Sequence, residues 1–129
     1  MIDLTVRLLN QPGTLLRASE ALGRAGVNIE GTCGYVEDGQ GIYHVLVKDA
    51  DQASRALIDA GLEIQAERRV AVVGVRNQPG SAAAVLRRVA EANVNVDLVY
   101  LTVDGRLVLG GSDVPAILAA LDAASRTPG

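Results

Sequence analysis

The residues best suited to chemistry form a short motif that occurs twice. Asn-Gln-Pro-Gly at positions 10–13 recurs at positions 77–80, an offset of 67 residues. Each copy lies between a strand pattern and a helix pattern, so it leaves free main-chain N–H groups at a helix N-terminus, where a carboxylate or phosphate can bind. The glycine allows a ligand to approach the main chain closely. The motif therefore indicates a possible anion site in each half of the chain.

A second asparagine follows each motif at a constant distance. Asn28 and Asn95 each lie eighteen residues after the first asparagine of their own motif. Because each begins the strand that follows the helix, we expect it to lie near its own loop and to offer an amide oxygen to an ammonium group. A carboxylate site beside an amide acceptor suits a free α-amino acid. A purely structural interpretation has comparable weight, since Asn-x-Pro-Gly is also a good turn and Asn often follows a helix.

The elements that must position these residues can be predicted from hydrophobic periodicity. In the first half, strands are predicted at 2–9, 27–36, 42–48 and 62–66, with a turn at 37–41. The first predicted helix has an apolar face formed by Leu15, Ala18, Leu22 and Ala25, and it ends before Gly26. The second begins after an N-cap at Asp51, buries Ala53, Ala56, Leu57 and Ala60, and ends before Gly61.

The second half repeats this order but stops earlier. Strands are predicted at 70–76, 94–103 and 106–109, with a helix at 82–92 and a two-residue turn at Asp104-Gly105. Asp113 is predicted to cap a last helix that contains Pro115 in its first turn. The apolar stripe of that helix is expected to comprise Ile117, Leu118, Leu121 and Ala124. No final strand is recognisable after it.

A β-α-β-β-α-β order with short connections predicts an α+β fold of two tandem ferredoxin-like units, at residues 1–68 and 69–129. Both helices of such a unit cover one face of an antiparallel sheet. The missing last strand would leave the strand at 70–76 with an open edge. Only residues 67–69 are predicted to link the units, so we expect the two sheets to be coupled through this junction or through a second chain.

The spacing of Asn-x-Pro-Gly, a helix and then Val-Asn-Ile resembles the ACT domain family of small-molecule sensors, and free-standing tandem ACT proteins in particular. The resemblance covers nearly the whole chain twice. It implies the ferredoxin-like unit, with ligands, commonly amino acids, bound near the loop after the first strand and often between two ACT units. Carried over by position, it implies ligand contacts at Asn10, Gln11, Pro12, Gly13, Thr14, Leu15, Asn28, Ile29, Asn77, Gln78, Pro79, Gly80, Ser81, Ala82, Asn95 and Val96.

Two departures from the family pattern bear on the ligand. Serine-binding members have a His two residues before the first Asn, whereas this chain has Leu8 and Val75, so a ligand with an aliphatic side chain is favoured at least as much as serine. The residues after the two loops also differ. Small residues at 81–84 could leave side-chain space beside the second loop, whereas Thr14 adds a hydroxyl to the first. The sequence leaves open which loop binds.

Composition excludes several other classes of protein. The 129 residues are 49% hydrophobic with a net charge of -3, and no apolar run reaches the ~18 residues that a membrane span needs. We therefore expect a cytoplasmic protein. Base-stacking RNA recognition is disfavoured because the chain is acidic and has no Phe. His44 has no companions for catalysis or metal binding and Cys33 lacks a CxxC partner, so no catalytic residue, metal or cofactor is predicted.

Three functional classes remain. The leading hypothesis is a regulatory protein, a homodimer or larger homo-oligomer, that binds a free amino acid or similar small ligand and modulates a partner enzyme. The alternative is a structural association module without a ligand, which pairs through exposed sheet edges. A small enzyme ranks last because no acid, base and nucleophile have recognisable spacing.

Overall fold

The computed structural model describes the main chain of residues 1–125 and the side chains of residues 1–122. The chain separates into two compact units, Met1–Arg68 and Arg69–Gly129. Each unit has its own core.

The first unit has the complete predicted order of elements. It contains β1 (Ile2–Leu9), α1 (Thr14–Arg24), β2 (Gly31–Glu37), β3 (Gln40–Val47), α2 (Ala50–Asp59) and β4 (Glu63–Arg69). The sheet order is β2-β3-β1-β4, and β3 is antiparallel to both β1 and β2. This is the split β-α-β arrangement of the ferredoxin-like fold, and it confirms the predicted fold class.

Alternation along the strands builds the core of the first unit. Leu4, Val6 and Leu8 are buried on one face of β1, and the helices cover this face with residues such as Leu22 and Leu57. The predicted first-helix stripe is wrong at one position, because Leu15 is 53% exposed. It lies in the first turn of α1 and borders a cavity instead of the core.

The second unit is a shorter version of the first. It contains β5 (Ala71–Val73), α3 (Ser81–Glu91), β6 (Leu98–Leu101), β7 (Leu107–Gly110) and α4 (Val114–Ser125). Its sheet has the order β5-β7-β6, with β7 antiparallel to both neighbours. Within the residues described, no fourth strand joins this sheet, as predicted, and β5 is an edge strand.

Several predicted strand boundaries are wrong. β2 begins at Gly31 and β6 at Leu98, each four residues later than predicted, while residues 67–69 belong to β4 instead of forming a linker. Only Val70 separates β4 from β5. Hydrophobic residues before β2 pack on the core without pairing in the sheet, so apolar alternation extends beyond the hydrogen-bonded strand.

Caps and turns follow local chemistry with two corrections. Asp49, and not Asp51, caps α2 by accepting a hydrogen bond of 3.0 Å from the Gln52 N–H. Asp113 caps α4 as predicted, accepting from the Ala116 N–H at 3.0 Å. The second hairpin has a three-residue loop at 103–105, closed by the hydrogen bond from the Thr102 N–H to the Arg106 carbonyl. A left-handed third residue makes this a common hairpin loop.

The last helix confirms part of its predicted stripe. Ile117 and Leu121 are buried, whereas Leu118 is 45% exposed. The side chain of Ala124 lies outside the described residues.

Candidate functional site

The first Asn-Gln-Pro-Gly motif forms a tight loop held by its own hydrogen bonds. Gly13 is the N-cap of α1 and has φ +90°, a conformation that other residues rarely adopt. The Thr14 hydroxyl lies 2.8 Å from the Leu9 carbonyl oxygen and 3.1 Å from that of Gln11, and donates to them. Among the described residues, no side chain caps α1. The Thr14 N–H donates to the Gln11 carbonyl, so the N–H groups of Gly13 and Leu15 are the ones that remain available to an anion.

This loop forms one wall of a cavity of about 530 Å³, the first-unit pocket. Residues 8–15, 32–36 and 41–43 line it. The volume lies within the ~300–1,000 Å³ that small-molecule sites occupy. The structure thus brings residues 10–15 of the predicted site together around one cavity.

The pocket exists because part of the sheet is left uncovered. Both helices pack on β1, and the helix-side residues of β2, Thr32, Gly34 and Val36, are exposed. Tyr43 pairs with Gly34 across the strands and forms the floor. Its phenol oxygen lies 3.1 Å from the Ser19 hydroxyl of α1, which fixes the ring in place.

The chemistry of the pocket is divided between its two ends. The helix N-terminus and the main chain of the loop provide N–H groups, and the Thr14 hydroxyl oxygen can still accept a hydrogen bond. Leu15 and Val36 supply apolar surface, and each is more than half exposed. A ligand with a carboxylate at one end and an apolar group at the other would match this arrangement.

Asn28 does not lie near the loop of its own unit, so that expectation is wrong. β1 ends where Leu9 pairs with Gln40, whereas β2 begins where Gly31 pairs with Leu46. These two ends of β3 are about 20 Å apart at ~3.3 Å per residue. The Asn28 amide instead donates to the Glu30 carboxylate at 2.6 Å. One ligand cannot contact both Asn28 and the loop within this unit.

Asn95 also lies away from the loop of its own unit. A side chain at Gly111 would come within 2.5 Å of the Asn95 carbonyl oxygen. Gly111 follows the C-terminal end of β7, whereas the end of β5 at Val73 pairs with Leu107, at the start of β7. Ile29 and Val96, the neighbours of the two asparagines, pack against the cores.

The second Asn-Gln-Pro-Gly loop has the same main-chain conformation as the first, but different side chains lie beside it. Gly80 is the N-cap of α3 with φ +84°, and the Gln78 and Ser81 N–H groups donate to Arg76 and Gln78 carbonyls as their counterparts do. The repeat offset places Leu101 where the first unit has Gly34, and this side chain is 56% exposed. The position left open in the first unit is therefore filled in the second.

Four polar side chains form a cluster on the opposite face of the first sheet. His44 is buried, its Nδ1 is 3.0 Å from the Asp3 carboxyl group, and its Nε2 is 3.2 Å from the Tyr35 hydroxyl. The Thr5 hydroxyl donates to the same carboxyl group at 3.1 Å. Burial and the nearby Glu37, Cys33 and Asp3 raise the pKa of Tyr35, so its phenol stays protonated. A buried histidine with both ring nitrogens paired is typical of a structural role.

Sequence reasoning missed the strand side of the pocket. Gly34 and Tyr43 were not among the predicted contacts, yet they form the floor. The one available signal was a glycine inside a strand pattern, which indicates a close backbone approach or a missing side chain. Cys33 and Tyr35 alternate to the other face, so we assign their contribution to the pocket wall to their main chain.

The model of the ACT domain pair family matches residues 1–117, and the chain therefore belongs to this family. The match includes both loops and the second unit as far as the first turn of α4. No curated protein matches the sequence significantly.

Solved structures support the fold. A Bacteroides thetaiotaomicron protein is 24% identical, with a TM-score of 0.85, over 96% of this chain and 88% of its own. The ligand-free regulatory subunit of aspartate kinase from Thermus thermophilus is 21% identical, with a TM-score of 0.71, over 95% and 91%. The corresponding subunit from Thermus flavus is 22% identical, with a TM-score of 0.65, over 97% and 92%. Within the part of the chain that the structure describes, no helix is long and apolar enough to cross a membrane.

Proposed function

We propose that this chain is a regulatory protein that binds a free amino acid in the first-unit pocket and passes the bound state to a partner enzyme. The observation that carries the proposal is the pocket itself, which joins an uncapped helix N-terminus to an apolar cavity. Membership of the ACT domain pair family and the fold shared with aspartate kinase regulatory subunits support a regulatory role.

The proposed binding residues are those that line the pocket. The N–H groups of Gly13 and Leu15 bind the carboxylate, because these donors and the dipole of α1 favour negative charge. The carbonyl groups of the loop and the Thr14 hydroxyl accept from the ammonium group. Asn28 takes no part in this site, since it lies at the other end of the sheet. In the second unit, the loop at 77–82 is a weaker site because Leu101 fills the adjacent space.

Calorimetric titration with each of the twenty amino acids tests the proposal. We expect one or a few to bind, and we expect Thr14→Val to weaken that binding by at least tenfold because it removes two hydrogen bonds that shape the loop. Ser81→Val, the matching change in the second loop, and Asn28→Ala serve as controls and should leave the affinity unchanged. Folded protein that is silent toward all twenty would refute an amino-acid sensor.

We further propose that the protein acts in the cytoplasm as a homo-oligomer. A single cysteine fits a reducing compartment. Association between copies would bring several pockets into one assembly, so that ligand could change how the assembly meets its enzyme. Sedimentation of the protein with and without the bound amino acid tests this point, and a monomer in both states would contradict it.

A ligand-independent association module is the second candidate, and one observation favours it. β6 is an edge strand in which Val99 and Leu101 are 50% and 56% exposed, and Val103 in the loop after it is 79% exposed. Apolar residues on an open strand edge are suited to pairing with another strand. A stable complex that is lost in Leu101→Lys, but is unaffected by every amino acid and by Thr14→Val, would support this candidate over the sensor.

A further inference from the structure

We propose that Gly34 sets the size limit of the pocket and that the first unit selects an amino acid with an apolar aliphatic side chain. The inference rests on the proposed function and specifies its ligand class. It also implies that the chain has one site of this kind, because the second unit lacks the same space.

The absence of a side chain at Gly34 leaves space open in the pocket. A Cβ at Gly34 would lie 3.6 Å from Tyr43 Cδ1 and 3.8 Å from the Ile42 carbonyl oxygen, both ordinary contacts. Gly34 is therefore not required by strain or close packing of the fold, and its φ is not positive. The absent side chain leaves Tyr43 Cδ1 uncovered on the pocket side, where a Cβ would otherwise make contact.

The floor is fixed and apolar at this point. Tyr43 is only 8% exposed, and its hydroxyl is held by Ser19 at 3.1 Å. With the polar end of the tyrosine engaged, the ring offers its hydrophobic face. Val36 and Leu15 stand at the sides of the pocket. None of the described residues that line it carries a charge, so a charged side chain of a ligand would lose hydration without gaining a partner.

The second unit shows what happens when the space is filled. At the repeat offset, Gly34 is replaced by Leu101 and Ser19 by Leu86. Leu101 pairs with Leu107 as Gly34 pairs with Tyr43. Leu107 thus stands in place of the tyrosine that forms the floor. The hydroxyl that holds the tyrosine and the open position beside its ring are also replaced by leucine side chains. Two loops with the same main-chain conformation are therefore unequal in the side chain they can accept.

The experiment compares L-leucine, L-valine and L-alanine as calorimetric probes on wild type, Gly34→Ala and Gly34→Leu. We expect leucine and valine to bind wild type at one site per chain. Gly34→Leu should weaken leucine by at least tenfold while alanine changes less than threefold, since methylene-sized misfits in a pocket alter binding by roughly 10- to 200-fold. Gly34→Ala should weaken leucine binding by less than Gly34→Leu does. Leu101→Ala is the matched change in the second unit and should leave the three affinities of the first-unit pocket unchanged.

The outcomes separate this inference from the proposed function. Leucine binding that resists Gly34→Leu, an equal loss for all three probes, or two equal sites per chain would overturn the role of Gly34. Wild type that binds only polar or charged amino acids would overturn the ligand class. Wild type that binds no amino acid would refute the proposed function and this inference together. Circular dichroism shows whether each variant is folded. If Gly34→Leu does not fold, the more conservative Gly34→Ala carries the test.

Discussion

Replacing the glycine of each repeated motif by alanine tests the local physics of the two loops. Gly13 and Gly80 have φ +90° and +84°, and a Cβ at either position would meet no atom within 4 Å. The penalty is therefore one of main-chain conformation alone, about 1–2 kcal/mol for a residue with a side chain. Alanine also reduces the freedom of the unfolded chain, which offsets about 0.4–1 kcal/mol of that penalty.

The net expectation is that Gly13→Ala and Gly80→Ala each lower the free energy of unfolding by about 1 kcal/mol. The two losses should agree within about 0.5 kcal/mol, because the two loops have the same geometry. Urea denaturation measures both. Gly23→Ala is the control, since Gly23 lies inside α1 with no positive φ and open space around it. There the same chemical change should stabilise by about 0.5–1 kcal/mol.

The decisive expectation is that Gly13→Ala and Gly23→Ala change the free energy of unfolding in opposite directions. If Gly13→Ala is neutral or stabilising, the left-handed N-cap is not a property of the folded loop, and the first-unit pocket loses its wall. If the two motif variants differ by more than about 1 kcal/mol, the loops are not equivalent in conformation and the differences between the sites begin in the main chain.

Two further predictions concern side chains outside the pocket. His44→Leu should lower the free energy of unfolding by about 1–3 kcal/mol in urea denaturation, because the buried Asp3 carboxyl group loses a hydrogen bond; an unchanged midpoint would show that the cluster is not structural. The Thr102 hydroxyl, followed by Arg106, lowers the pKa of Asp104 from its ordinary value of 3.8. The ionised Asp104 therefore contributes its full stabilisation above pH 3.8, and this stabilisation is lost as the pH falls through the lower pKa of the folded state. Urea midpoints measured from about pH 5 down to pH 2 should therefore fall more steeply for wild type than for Asp104→Asn, and parallel curves would contradict this.

Much of the fold could be predicted because it depends on short-range properties. Helix α1 and the strand before it follow from hydrophobic periodicity, and Gly26 and Gly61 end their helices with the positive φ that the sequence indicates. Strand limits were predicted less well. The segment before β2 has the alternation of a strand, but its pairing in the sheet starts only at Gly31, apart from one hydrogen bond from the Glu30 N–H to the Leu46 carbonyl.

The candidate site was predicted only in part. Residues 10–15 lie together on one loop, so any fold that preserves the strand–loop–helix order keeps them at one place. Asn28 was assigned to the same site from its constant spacing, but spacing along the chain does not state which end of a sheet a residue reaches. Because β1 and β2 run parallel with β3 between them, the start of β2 lies away from the end of β1.

The sequence by itself determined the duplication, the order of elements, the glycine-capped loops and the family to which the chain belongs. These depend on residue type and on separations of a few residues, where main-chain sterics and periodicity decide. Only the tertiary structure decided that Gly34 lies across from Tyr43, that Leu101 fills the corresponding space in the second unit, and that Asn28 is remote from the loop. Strand register brings together residues that are distant in the chain, and register is set by the packing of the whole sheet.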